Sequence, residues 1–180
     1  MRLLSENCTV RGTDKELLRY GIEVFFYNTS VIAFFMILSI LLNDFVSSFV
    51  YLVCLSVLRV FTGGWHASTK ATCFFSYTFL YFLFQTTKQI PISVMSLSLL
   101  MLTCSLYIFL RAPVSHFLQP LDEKEQKENR KNARISILCI LFIYLFFVSI
   151  DSALSVPVAI AVLLNVCLMI LLQITKGEIC

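Results

Sequence analysis

The chain has 180 residues, of which 58% are hydrophobic and only 14% are charged, and its formal net charge is +3. An average soluble domain is about 25% charged, so this composition cannot supply a water-facing surface. The charges are also clustered, and several apolar runs between them are long enough to cross a hydrocarbon core of about 30 Å. The composition therefore excludes a soluble globular protein and predicts a polytopic membrane protein.

Six apolar runs follow one another along the chain. They cover roughly residues 24–42, 45–61, 72–86, 92–110, 135–150 and 153–174. The second, third and fifth runs are near or below the usual minimum of about 17 residues for a spanning helix, so the predicted number of spans is four to six. We predict an all-α integral membrane protein in which residues 1–180 form a single membrane domain.

The distribution of Lys and Arg predicts the orientation, because short cytoplasmic loops carry the excess of positive charge. With both termini in the cytoplasm, every Lys and Arg except Lys88 lies on the cytoplasmic side, and the opposite topology inverts that ratio. The cytoplasmic set comprises Arg2, Arg11, Lys15 and Arg19 before span one, Arg59 and Lys70 after span two, Arg111, Lys124, Lys127, Arg130, Lys131 and Arg134 after span four, and Lys176 in the tail.

The N-terminal segment, residues 1–23, is mostly polar over its first 20 positions and lacks the early apolar stretch of a cleavable signal peptide. Thr13 and Glu16 have the spacing of a helix capping box. Two interpretations remain open for the amphipathic pattern that follows: the first turns of span one, or a helix lying on the inner membrane surface.

The charged loop at 111–134 begins with two prolines, Pro113 and Pro120, that interrupt the helical pattern of span four. Asp122 can then cap a new helix, with acidic residues early and basic residues late, as a helix dipole favours. One interpretation is a solvated charged helix that leads into span five, since charge runs are usually solvated faces. The other is a cytoplasmic arm that docks a charged partner.

The rare reactive residues gather in the stretch R-V-F-T-G-G-W-H-A-S-T-K-A-T-C at 59–73. A thiolate is a strong nucleophile, but a free thiol has a pKa of about 8.5 and is mostly protonated. Cys73 falls in the predicted first turn of span three, where a helix N-terminus favours anions. Lys70 precedes it by three residues, and His66 can act as its general base.

The spacing of His66 and Cys73 constrains their geometry. Seven residues of straight α-helix separate two side chains by about 10.5 Å along the axis, whereas a nucleophile and its base need a contact near 3 Å. If the two form a dyad, the chain between them is not one helix, and Gly63 and Gly64 permit the sharp turn that this requires. By spacing alone, a purely structural histidine and cysteine is the simpler interpretation.

Other chemistry has little support in the sequence. Zinc needs three or four protein ligands, and His66, Cys73 and the distant His116 do not supply that pattern, so we predict no metal and no cofactor. Topology accounts for the basic residues, so we predict no nucleic-acid partner. Cysteines inside spans act as small apolar side chains, and those facing the cytoplasm stay reduced.

The arginine, the glycine pair, the histidine and the cysteine of this stretch resemble the accessory gene regulator B family, the membrane cysteine endopeptidases of bacterial peptide quorum sensing. The resemblance continues through A-P-V-S-H at 112–116 and the charged loop, and covers nearly the whole chain. It implies that Cys73 is the nucleophile and His66 the catalytic histidine. The arginine and glycine that match the family motif are Arg59 and Gly64, for which substrate positioning and loop geometry both fit. Gly63 and Lys70 are supporting residues on the backbone and charge arguments given above.

The resemblance also implies an activity. A family member removes the C-terminal part of a short propeptide (the D-type autoinducer precursor) and holds the remainder as a thioester, which leads to a cyclic thiolactone or lactone. It further implies a homodimer in the bacterial cell membrane, in contact with lipid and with its active site on the cytoplasmic face. We expect the acidic tail of such a precursor to meet Lys124, Lys127, Arg130 and Lys131.

Two other function classes fit the spans. One is a small-peptide transporter or export channel in which His66 and Cys73 are structural, although charged residues that would mark a transport pathway are scarce. The other is a membrane scaffold or sensor partner with no chemistry of its own.

Overall fold

A computed structural model of the chain describes residue 22 and residues 26–62, 70–114 and 123–177. The side chains of 70–73, 123–125 and 175–177 lie outside this description, as do all other residues.

The described residues form six helices and no strands, which confirms the predicted all-α fold. Helix α1 is described over Phe26–Leu41. The others are α2 (Phe45–Thr62), α3 (Lys70–Thr87), α4 (Val94–Arg111), α5 (Glu123–Ser149) and α6 (Ser155–Gly177).

Four of these helices are long and apolar enough to cross a membrane: α2, α4, the Gln126–Ser149 part of α5, and α6. This number lies within the predicted range. The bounds of α2, α3, α4 and α6 agree with the predicted spans to within a few residues. Helix α5 differs, because it begins 12 residues before the apolar run that predicted it. A hydropathy pattern detects only the apolar part of a helix, whereas the backbone hydrogen bonds of α5 continue through its charged segment.

The helices fall into two compact units, Met1–Asn43 and Asp44–Cys180. In the second unit, α6 is the central helix: two-thirds of its apolar window is buried, and it packs against α2, α3, α4 and α5. Small and β-branched residues from Val158 to Val162 are all buried there. Pro157 is tolerated because it lies in the first turn of α6, where its missing N–H has no intrahelical partner to bond.

Helices α2 and α3 form an antiparallel pair with an aromatic core. The rings of Tyr51 and Phe84 stack with centroids 4.1 Å apart and planes 7° from parallel. The hydroxyl of Tyr51 donates to the Leu80 carbonyl at 3.1 Å, and the hydroxyls of Ser48 and Tyr81 lie 3.0 Å apart. These contacts give each of the three hydroxyl groups a hydrogen-bond partner. A buried hydroxyl without a partner would lower the stability of the fold.

Asp44 organises a polar cluster at one end of this pair, and we call this end the Asp44 end. Its carboxylate accepts hydrogen bonds from Lys88, from Gln85 Nε2 at 3.2 Å and from the Ser48 hydroxyl at 3.2 Å. Burial, the largest single influence, raises the pKa of Asp44, but the hydrogen bonds from Lys88, Gln85 and Ser47 and the charge of Lys88 outweigh it and leave the pKa below its ordinary value.

Helix α4 is tied to both of its neighbours by polar contacts. Ser98 and Tyr144 hydroxyls lie 2.9 Å apart across α4 and α5, and Tyr107 donates to Gln173 Oε1 of α6 at 2.9 Å. Arg134 Nε donates to the Phe109 carbonyl at 3.3 Å. The contacts with Tyr144 and Arg134 make α4 antiparallel to α5, with the last turns of α4 beside the early part of α5. The contact with Gln173 places the last turns of α4 beside the end of α6.

Candidate functional site

Arg59 lies in the last turn of α2, and not in the loop after span two where the charge count had assigned it. Its side chain is only 6% exposed. The guanidinium carbon lies 4.6 Å from the centroid of the Tyr77 ring in α3, which is cation–π geometry. This arginine, which lies within the predicted span 45–61, is therefore folded into the bundle.

Cys73 lies in the first turn of α3, which begins at Lys70, as the sequence predicted. Moving along α2 from Asp44 towards Thr62, the contacts on α3 move from Lys88 towards Tyr77. The same register places the backbone of Cys73 opposite the last turn of α2. We call this end of the pair the Cys73 end.

Cys73 and Tyr77 are four residues apart on α3 and therefore lie on one face of that helix. Residues at this spacing have Cβ atoms about 5–6 Å apart. Tyr77, whose ring lies under the Arg59 guanidinium, is therefore about one helical turn from Cys73 along the backbone of α3. The side chain of Cys73 lies outside the described residues, so the proximity of Arg59 to the Cys73 thiol stays a prediction.

His66, Gly63 and Gly64 lie outside the described residues. The predicted bend at the glycine pair, and the contact of His66 with Cys73, therefore stay predictions. The described ends of this connection are Thr62 and Lys70, so it joins the end of α2 to the start of α3.

Thr62, the last residue of α2, is held by three parts of the chain. Its hydroxyl donates to the Leu58 carbonyl at 2.9 Å and accepts a hydrogen bond from Asn165 Nδ2 of α6 at 3.1 Å. Its backbone carbonyl accepts from the N–H of Val114 at 2.9 Å. The segment after α4 thus reaches the Cys73 end of the bundle.

The basic residues of the charged loop lie on the early part of α5. Lys127, Arg130 and Lys131 are exposed, whereas Arg134 is partly covered and its guanidinium carbon is 4.8 Å from the Phe109 ring. The backbone of Lys124 is in α5, and its side chain lies outside the described residues. The helical interpretation of this loop is confirmed from Glu123 onward. Its role as a docking arm stays a prediction.

Sequence reasoning missed Tyr77, Val114 and Asn165. Asn165 had a usable signal, since it is the one amide in the apolar run 156–172, and a buried amide needs hydrogen-bond partners. Tyr77 and Val114 had none, because their importance arises from contacts between helices far apart in sequence. Within the described part of the chain, no group of three or more His, Cys, Asp or Glu residues could hold a metal ion.

An activated thiol needs several features, and the described residues supply them only in part. A cation and a helix N-terminus both favour a thiolate over a thiol, and a nearby general base completes the usual arrangement for a cysteine nucleophile. The backbone of Cys73 lies in the first turn of α3, and Arg59 is a cation in the last turn of α2. The approach of Arg59 and His66 to the Cys73 thiol stays a prediction.

Comparison with known proteins gives one match. No curated protein and no solved structure matches the chain. The family model described as accessory gene regulator B matches residues 2–175, which is nearly the whole chain, and this confirms the resemblance drawn from the sequence. The chain belongs to the accessory gene regulator B (AgrB) family.

Proposed function

We propose that this protein is a membrane cysteine endopeptidase that cleaves the C-terminal part of a short autoinducer propeptide through a thioester acyl-enzyme. Membership of the AgrB family ties the chain to the processing of quorum-sensing peptides of the accessory gene regulator system. The observation that supports the finer proposal is the place of Cys73 in the first turn of α3, one turn before Tyr77, on which the buried Arg59 packs.

The reaction has two covalent steps. The Cys73 thiolate attacks the carbonyl carbon of the scissile peptide bond, the C–N bond breaks, and His66 donates a proton to the departing amine. The upstream part of the peptide is then bound to Cys73 as a thioester. A thiol or hydroxyl of the same peptide next attacks the thioester carbon, which closes a thiolactone or lactone ring and releases Cys73 as a thiol.

Cysteine suits this chemistry better than a serine would. A thioester keeps much of the reactivity of the acyl group, so the ring closes at little further cost in free energy. Because the peptide is held at the site, its own thiol or hydroxyl has a high effective concentration at the thioester. Effective molarities in well-oriented intramolecular reactions reach about 10⁵–10⁸ M. Ring closure can therefore be faster than hydrolysis of the thioester by water.

Arg59 has an electrostatic role in this proposal. Its side chain is removed from water by burial, so its charge is screened less than a surface charge would be. It is held by the face of Tyr77, one helical turn from Cys73. From there it favours the thiolate before attack and the negative oxygen that develops during attack.

The orientation belongs to the same proposal. The exposed Lys127, Arg130 and Lys131 lie early in α5, and Val114, shortly before that helix, is hydrogen-bonded to Thr62. The basic residues therefore lie at the same end of the bundle as Cys73, and the positive-inside rule favours the cytoplasm for that end. A precursor with an acidic tail would meet these residues there.

The proposal is tested by co-expression with the precursor, taken as the short open reading frame beside the gene that encodes an amphipathic leader and an acidic tail. Wild type is compared with Cys73→Ala and His66→Ala, and Cys139→Ala is the matched control because Cys139 is exposed on α5. We expect cleavage by wild type and by the control, and none by the two site variants at equal membrane levels.

Two results would reject the proposal. Full cleavage by Cys73→Ala removes the nucleophile from the mechanism. Export of an already cyclic peptide by Cys73→Ala would instead support the transporter, in which His66 and Cys73 are structural.

A further inference from the structure

Asn165 is an amide in the middle of an apolar helix, and it is 1% exposed. Burying an amide costs free energy unless it is hydrogen-bonded, and an apolar side chain would fill the same place without that cost. Its Nδ2 group donates to the Thr62 hydroxyl at 3.1 Å and lies 3.8 Å from the sulfur of Met169. The hydroxyl of Thr62, the last residue of α2, is therefore the hydrogen-bond partner that links Asn165 to another helix.

The backbone of Thr62 is bound as well as its side chain. The last carbonyls of a helix lack intrahelical partners, and the Thr62 carbonyl accepts the N–H of Val114 at 2.9 Å. Val114 is 8% exposed and Ala112 is 1% exposed, so the segment 112–114 enters the bundle to make this bond. Both the side chain and the main chain of Thr62 are thereby held in place.

Thr62 immediately precedes Gly63 and Gly64. Glycines place few restrictions on the backbone, so Gly63 and Gly64 do not by themselves fix the path of the chain. The path starts at Thr62, and His66 follows four residues later, within about 14 Å of extended chain. A shift of Thr62 therefore moves the point from which the segment that carries His66 starts.

We infer that Thr62 and Asn165 are positioning residues for the reaction, because their hydrogen bond and the Thr62–Val114 bond fix the point from which the Gly63–Gly64 connection leaves α2. This inference rests on the proposed function. The two residues do not touch the substrate; they hold the base His66 in register with Cys73. A misplacement of about 1 Å can reduce a catalytic rate about 100-fold.

The chain offers a matched series of substitutions at this contact. Thr62→Ser keeps the hydroxyl, whereas Thr62→Val keeps the shape and removes it. Thr62→Val removes the hydrogen-bond partner that the Asn165 amide has on α2, and a buried amide that loses such a partner destabilises the fold, so the thermal stability of this variant is expected to fall. The double variant Thr62→Val/Asn165→Leu removes both polar partners, a change that can be nearly neutral for stability.

The test measures cleavage of a synthetic precursor by each purified variant in lipid nanodiscs, together with its thermal stability. We expect Thr62→Ser to remain within about threefold of wild-type kcat, and both Thr62→Val and the double variant to lose about 10- to 100-fold in kcat at nearly constant KM. The double variant should regain the stability that Thr62→Val loses, without regaining its rate.

The double variant separates positioning from packing. If it recovers both stability and kcat, the contact is structural and the inference is overturned. Wild-type kcat in Thr62→Val overturns it as well. Cys73→Ala is measured in the same assay and tests the proposed function itself. Cleavage by Cys73→Ala rejects the endopeptidase. If Cys73→Ala is inactive and Thr62→Val is fully active, only the inference about positioning is rejected.

Discussion

Arg59 carries a full charge inside the bundle, in the last turn of α2. The structure shows a buried guanidinium over an aromatic ring. The planar, delocalised guanidinium allows this, whereas a lysine ammonium is strongly hydrated and does not stack in the same way.

Arg59→Lys is therefore expected to impair processing although the charge is kept. A desolvated cation–π contact is worth about 2 kcal/mol, so its loss should slow cleavage by roughly 30-fold at unchanged membrane levels. The measurement is the initial rate of precursor cleavage by equal amounts of inserted protein.

Substitutions of Tyr77 provide the control for this prediction. Tyr77→Phe keeps the aromatic face and should retain more activity than Tyr77→Leu, which removes it. If Arg59→Lys processes the precursor at the wild-type rate, the geometry of the guanidinium is irrelevant and the electrostatic role assigned to Arg59 is wrong.

At the scale of elements, the contacts between α2 and α3 position the helix that carries Cys73 in its first turn. Phe84 and Tyr51 are both fully buried and stacked, and they lie on the Asp44 side of the pair. Truncating a buried aromatic ring costs about 3–5 kcal/mol, so Phe84→Ala should lower the thermal stability of the purified protein markedly. Phe82→Ala, on the same helix but 58% exposed, is the matched control and should change stability little.

The aromatic core also predicts an effect on function. If α3 is positioned by this stack, Phe84→Ala should reduce cleavage at temperatures below its own melting point, even though Phe84 lies about three turns of helix from Cys73. Equal losses of stability in Phe84→Ala and Phe82→Ala would show that the stack does not hold the pair.

The Asp44 cluster gives stability a defined dependence on pH. The pKa of Asp44 is below its ordinary value in the folded protein, so the folded state favours the carboxylate. Its contribution to stability is complete above the ordinary carboxyl pKa of about 3.9 and is lost as the pH falls through the lower, folded-state pKa. Asp44→Asn removes this titration.

Thermal unfolding in detergent at a series of acidic pH values checks the Asp44 prediction. The difference in stability between wild type and Asp44→Asn should be greatest above about pH 4 and should shrink at lower pH. A difference that grows as the pH falls would have the wrong sign for this linkage.

At the scale of the molecule, the sequence predicted the all-α membrane fold and most helix bounds, because long apolar runs have few alternatives to the helix. Asp122 as a helix cap indicated that α5 begins near Glu123, although hydropathy alone did not. The sequence could not predict that segment 112–114 reaches Thr62, because that contact joins elements far apart in the chain. For the site, clustering and family resemblance made His66 and Cys73 the candidates, and these assignments stay predictions. The contacts of Thr62, Tyr77 and Asn165 could not be predicted, because they depend on how α2, α3 and α6 pack.

The basic early part of α5 carries a prediction about substrate binding. Reversing the charge of Lys124, Lys127, Arg130 and Lys131 should raise the KM for an acidic-tailed precursor, and the effect should weaken as salt is increased. Glu128→Lys, which adds a positive charge at an exposed neighbouring position, should leave KM unchanged or lower it. The account of the docking arm is wrong if charge reversal leaves KM unchanged while the protein inserts normally.

The most direct test of the central claim is the mass of the enzyme during turnover. Purified protein is mixed with a precursor whose ring-forming residue is replaced, so that the acyl group cannot be captured, and the complex is examined by intact mass spectrometry. We predict an adduct equal in mass to the precursor without its C-terminal part, attached at Cys73, released by hydroxylamine and missing from Cys73→Ala. Cleavage of this precursor without any such adduct, or an adduct that persists in Cys73→Ala, would contradict the thioester mechanism.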